Sequence, residues 1–231
     1  MRLLPLIALP ALAIVALYML ARAALVAALP VHTQTDWSRL DAWKTAPRLA
    51  AFLVLWELNR RRWKTLRLDF ASPGGIVRTT CWTAGAILAY GLSCAGPVAD
   101  AFSARTAILG LAATPFVALF EEYAFRGAIL EGLLPFVGAC GAVLGSALLF
   151  AVYHVQAQPA AAWPALFGLG VILANLRLRG IGLGWLMIVH AILDGLFFWG
   201  TRPYWGTTSA TFLAFLTICA FVSWPRRLRV D

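Results

Sequence analysis

Residues 103–134 read SARTAILGLAATPFVALFEEYAFRGAILEGLL. The run is apolar at both ends and longer than the roughly 20 residues that cross a bilayer. Its centre holds two adjacent carboxylates and a guanidinium, Glu121, Glu122 and Arg126. A charge at bilayer depth costs at least about 2.5 kcal/mol, so it faces a protein interior or a wet cavity and marks function. This stretch therefore predicts a membrane-buried helix that carries a polar site.

Composition supports the membrane reading. The chain has 231 residues, of which 61% are hydrophobic and 13% charged, and its mean hydropathy is +0.80. Soluble domains carry about 25% charged residues. The expected fold is all-α: one integral membrane domain over residues 1–231, a polytopic bundle of about eight transmembrane helices, with residues 103–200 as the core that carries the motifs.

The expected spans are about Leu3–Leu29, Ala46–Leu58, Gly75–Val98, Ser103–Leu134, Val137–Val155, Ala160–Leu176, Gly182–Gly200 and Thr208–Trp224. The first is longer than a signal-peptide core and reads as an uncleaved helix. A polar loop with Asp36, Trp37, Asp41 and Trp43 is expected after it. Pro135 should end the fourth span, and Pro115 should bend it. Gly141 and Gly145 form a GxxxG, which lets helix backbones approach closely in lipid.

The net charge of +9 invites a nucleic-acid reading, but its placement argues otherwise. Arg60, Arg61, Arg62, Lys64 and Arg67 cluster after the second span, and Arg226, Arg227 and Arg229 close the chain. No basic stripe interleaved with aromatics is present. With the first cluster assigned to the cytoplasm, eleven basic residues fall inside, five outside and three within spans. The positive-inside rule then puts both termini in the cytoplasm. Only two of 19 basic residues are lysine and alanine is abundant, which points to a prokaryotic plasma membrane. Cys81, Cys94, Cys140 and Cys219 have no paired spacing and read as small buried hydrophobes.

Helix spacing sorts the polar residues. Glu122 and Arg126 are four apart and face each other in the favourable acid-before-base order. Glu121 points about 100° away and is the acid without that partner. His154 follows Phe150 by four, so ring and imidazole share a face; His190 and Asp194 share another. Asp194 could fix the His190 tautomer. Singly, each residue also fits a structural ion pair or a packed histidine. Three such faces in three spans, with few other polar side chains, point to one shared site whose parts suit hydrolysis.

Glu121-Glu122-x-x-x-Arg126, Phe150-x-x-x-His154 and His190-x-x-x-Asp194 resemble, in this order, the motifs of the CAAX-endopeptidase and bacteriocin-processing (CPBP or ABI) membrane proteins. The resemblance covers roughly Thr106–Trp199. It implies an eight-helix glutamic intramembrane endopeptidase, with no cofactor or metal. Carried over, Glu121 and His154 activate a water, His190 and Asp194 stabilise the oxyanion, and Glu122, Arg126 and Phe150 shape the site. The implied partners are the lipid bilayer and a membrane-anchored protein or peptide substrate, with no nucleic acid. The prenyl-protein endopeptidases carry Asn at the position of Asp194. Two other readings stay open: a metal-dependent protease, although no HExxH is present, and a non-catalytic membrane partner or transporter with a polar ion site.

Overall fold

The computed structural model describes residues 5–28, 34–70, 104–156, 158 and 160–198, together with residues 77, 80, 81 and 85. The expected span at 75–98 apart from those four residues, the span at 208–224 and the C-terminal arginines lie outside the described residues. So do the outer edges of the first and seventh expected spans.

Among the described residues all regular structure is helical, without a strand. Helix α1 spans Pro5–Ala28, α2 Gln34–Leu58, α3 Ala104–Glu121, α4 Leu130–Tyr153, α5 Trp163–Leu178 and α6 Leu183–Phe198. Alpha geometry gives way to a wider π-helical segment at Asn59–Trp63 and again at Glu122–Ile129. Two helical runs among the described residues, Ile7–Ala28 and Ile108–Tyr153, are long and apolar enough to cross a membrane. Trp163–Leu178 and Leu183–Gly195 are shorter apolar helices.

The 46-residue run Ile108–Tyr153 accounts for two expected spans. Gly138 separates them with φ 66° and ψ −179°, a conformation favourable to glycine, three residues after Pro135. At the end of α5, Gly180 (φ 86°) donates its N–H to Arg177 O, while Ile181 N–H donates to Leu176 O. This is a Schellman cap, whose C′ position favours glycine. It turns the chain directly into α6.

Two expectations change. The polar loop after α1 is instead helical, because α2 begins at Gln34 and runs through Trp43 to Leu58. Lys44 and Arg48 are buried within α2, so they are not loop charges. Among the described residues, the GxxxG faces its own helix instead of a separate one. A Cβ on Gly141 would meet Val137, and one on Gly145 would meet Leu133, both across the Gly138 break of α4 itself. Close approach between helices occurs elsewhere: a Cβ on Gly170 would lie 2.9 Å from the Cα of Ala147, and one on Gly132 2.9 Å from the backbone N of Ala8.

Helix α4 packs on α5, α2 on α3, and α3 on α6, while the segment Glu122–Ile129 touches every described helix. All eight of its residues are buried. Pro115 within α3 cannot donate to the carbonyl of Leu111. The Thr114 hydroxyl donates to that carbonyl instead, at 3.0 Å. The Ser146 hydroxyl of α4 similarly donates to Phe125 O at 2.8 Å, inside the π segment.

Gly170→Val forces a branched side chain against the α4 backbone, and overpacking of this kind costs about 1–3 kcal/mol. Thermal unfolding in detergent should show a clear loss for Gly170→Val. The loss should be smaller for Gly145→Ala, whose new methyl meets only the end of Leu133 at 3.2 Å.

Candidate active site

The seven residues singled out in the sequence converge around one point. Glu121 closes α3, Glu122 and Arg126 lie in the π segment, Phe150 and His154 lie at the end of α4, and His190 and Asp194 lie on α6. Glu121, Glu122, Arg126, Phe150 and His190 are buried. The His154 side chain is 14% exposed and that of Asp194 30%, so the site opens on their side.

The two adjacent glutamates have different surroundings. Glu122 Oε1 lies 3.0 Å from Arg126 Nη1 and 2.6 Å from His190 Nδ1. One carboxylate oxygen thus ties the π segment to α6. Glu121 Oε2 makes no hydrogen bond to the described residues and faces two imidazole nitrogens, His154 Nε2 at 3.7 Å and His190 Nε2 at 3.6 Å. Both separations exceed direct hydrogen-bond range.

These contacts determine how the rings present themselves. His154 Nδ1 lies 2.8 Å from Phe150 O. A carbonyl can only accept, so Nδ1 carries the proton, and the Nε2 of the neutral ring is a lone-pair acceptor turned toward Glu121. His190 Nδ1 donates to Glu122, so its Nε2 carries a proton only when the ring is imidazolium. That nitrogen also lies 3.7 Å from Asp194 Oδ2. The sequence offered Asp194 as the residue that could fix the His190 tautomer; the geometry gives this task to Glu122.

Phe150 lies between the charged groups. Its ring packs against the Arg126 guanidinium, with Cζ 4.1 Å from the ring centroid, and lies 4.6 Å from the His154 ring and 6.0 Å from that of His190. Cation–π contact partly compensates a desolvated guanidinium. Among the described residues no group of three His, Cys, Asp or Glu side chains is arranged to hold a metal ion.

Residues 103–196 match the family model described as type II CAAX prenyl endopeptidase Rce1-like. This segment is thus similar to an Rce1-like domain. The family is one of membrane-integral CAAX-type proteases, and all seven site residues fall within the matched segment. Comparisons with curated proteins and with solved structures gave no match.

Several residues around the candidate site escaped the sequence reading. Ser146 and Thr114 each donate a hydroxyl hydrogen bond to a backbone carbonyl, as above. The Tyr153 ring lies 5.0 Å from that of His154 and 5.8 Å from that of Tyr18 on α1. Arg22, 2% exposed, donates from Nη1 to Tyr153 O at 3.3 Å. Arg22 was detectable in principle, as a charge inside an apolar run.

Removing one partner of a buried ion pair leaves an uncompensated charge and costs about 3–5 kcal/mol. Arg126→Ala and Glu122→Ala should each lower thermal stability by that order. Glu121→Gln, whose ion pairs among the described residues are 3.6 and 3.7 Å long, should unfold near the wild-type temperature. Equal losses in all three variants would contradict this division between the two glutamates.

Proposed function

We propose that this protein is a glutamic-type intramembrane endopeptidase that hydrolyses a peptide bond near the terminus of a membrane-anchored protein or peptide. The observation that carries the reading is the shared orientation of Glu121 Oε2, His154 Nε2 and His190 Nε2. A carboxylate oxygen without a hydrogen bond to the described residues and a lone-pair nitrogen 3.7 Å apart can hold one water between them, since polar groups beyond about 3.5 Å are commonly bridged that way.

In this mechanism Glu121 accepts a proton from the water while His154 orients it. The water oxygen forms a bond to the scissile carbonyl carbon, whose oxygen becomes an oxyanion. His190, as an imidazolium held at Nδ1 by Glu122, donates from Nε2 to that oxyanion. Collapse of the tetrahedral intermediate breaks the C–N bond, and the proton taken up by Glu121 passes to the leaving amine. No net proton or electron is gained. General-base action contributes typically 10²–10⁴-fold, and an oxyanion donor about 10²–10³.

Asp194 faces the same His190 nitrogen that Glu121 faces. With the ring already oriented by Glu122, the side chain at 194 acts toward the oxyanion rather than on the tautomer. An ionised Asp cannot donate a hydrogen bond, whereas Asn can. Asp194→Asn should therefore keep turnover within about tenfold of wild type or raise it. A loss above about 100-fold would assign the anion itself a role, in the same range as loss of a general acid or base.

The direct test compares protein termini in membrane extracts of cells that make the wild-type chain or Glu121→Gln at matched levels. One or a few precursors should keep an extra segment only in the variant, and purified wild-type protein should cleave a reporter built on that segment. Unchanged termini under conditions where the protein is needed would reject proteolysis in favour of a non-catalytic membrane role. Cleavage abolished by a chelator and restored by zinc would replace the glutamic mechanism with a metal-dependent one.

A further inference from the structure

Away from the candidate site, the chain that follows α2 forms a strap over residues 59–70, fixed at three points. The first is Asn59, which is buried and uses both ends of its carboxamide. Its Nδ2 donates to Leu66 O at 2.8 Å, and its Oδ1 accepts from Thr65 N–H at 3.1 Å and from Leu66 N–H at 3.0 Å. The second is Leu66, also buried. A Cβ on Gly127 would lie 3.4 Å from a Leu66 methyl, so Leu66 rests on the segment that carries Glu122 and Arg126. The third is the start of α6, where Asp69 O accepts from Gly184 N–H at 3.0 Å and Phe70 packs on Trp185 with ring centroids 5.7 Å apart.

What this fixed strap displays is positive charge. Arg60, Arg61, Arg62, Lys64 and Arg67 are all exposed. Glu57 pairs with Arg60 and Arg61. Arg62, Lys64 and Arg67 have no ion pair among the described residues. Lys64 closes the π-helical turn with φ 56° and donates its N–H to Asn59 O at 2.7 Å. A left-handed residue after a helix is usually glycine. Here the position carries a lysine, so a cation is presented at a conformational cost.

The surroundings decide which anion fits. The last turns of α2 expose Leu53, Val54 and Trp56, and Phe70 is exposed at the far end of the strap. Apolar side chains, then tryptophan, then basic residues is the order met from acyl chains to headgroups at a membrane surface. A nucleic acid or an acidic soluble protein would complement the charge but not the adjoining hydrocarbon, whereas a lipid complements both. We infer that Arg62, Lys64 and Arg67 bind the headgroup of an anionic glycerophospholipid beside the apolar end of α2. Because Asn59 already fixes the loop, lipid binding does not have to order its backbone, which favours affinity. The inference is independent of the hydrolase reading, since it concerns binding and a different part of the chain.

The test titrates the full-length protein in neutral detergent with dioleoylphosphatidylglycerol or dioleoylphosphatidylcholine and counts bound lipids by native mass spectrometry. Wild type should bind the first phosphatidylglycerol about 10- to 100-fold more tightly than phosphatidylcholine, since each surface cation contributes about fivefold toward an anionic lipid. A variant combining Arg62→Gln, Lys64→Gln and Arg67→Gln should bind the two lipids alike. Its thermal unfolding should stay near that of wild type, because the three side chains are exposed. A second variant combining Arg226→Gln, Arg227→Gln and Arg229→Gln lowers the net charge by the same amount and should keep the wild-type preference. Equal binding of both lipids by wild type, or an undiminished preference in the strap variant, overturns the proposal. So does an equal loss in the C-terminal variant, because the effect is then one of total charge. Displacement of phosphatidylglycerol by an equal concentration of inorganic phosphate also overturns it, because the site is then one for free phosphate.

Discussion

A single carboxylate oxygen, Glu122 Oε1, holds the centre of this molecule together. It contacts a guanidinium one turn away on its own strand of helix and an imidazole on α6, at 3.0 and 2.6 Å, with all three groups buried. In a low-dielectric interior none of these charges is tolerable alone. Their mutual neutralisation lets a helix interrupted by polar residues lie at the core of an apolar bundle. It also fixes which nitrogen of His190 is available to chemistry. One oxygen of Glu122 thus both pairs with Arg126 and orients His190, while Glu121 Oε2 takes no part in that contact.

The motif residues were legible in the sequence because helix spacing is a strong constraint. Glu122 and Arg126 pair as their separation requires, and Glu121 is directed elsewhere. Sequence spacing could not reveal contacts between helices. Asp194 shares a helix face with His190, yet the strongest hydrogen bond to that ring comes from Glu122, 68 residues away. Similarly, GxxxG encodes small side chains but not what they face. Here the Gly138 break folds α4 so that Gly141 and Gly145 meet its own first half. The start of α2 was hidden because its first turns are polar, and polarity alone does not distinguish an amphipathic or internally paired helix from a loop.

The N-terminal helices contribute a different part of the chemistry from the Rce1-like segment. The matched residues supply the acids and imidazoles that face one another between the Glu122–Ile129 segment, α4 and α6. Helices α1 and α2 supply aromatic rings and buried cations that meet them across Tyr153. Arg22 belongs to the same sequence pattern as Glu121, a charge within an apolar run, and only its lack of a recognisable motif made it less conspicuous. The boundary between the two sets is a stacked pair of tyrosines, which carries no charge and separates opposite ones.

The wide turns between Glu122 and Ile129 have a consequence for how this segment can change. An i→i+5 turn holds one more residue than an alpha turn, so the segment behaves as an insertion that has been absorbed. Side chains there can be exchanged one by one, with effects confined to their own contacts. A deletion of one residue between Glu122 and Arg126 would let the wide turn relax to alpha geometry and keep the phase of α4, but it would take Arg126 out of the four-residue spacing that pairs it with Glu122. Chain length in this stretch is thus under a tighter constraint than chemical identity. The spacing of the motif records a helical phase as much as a set of reactive groups.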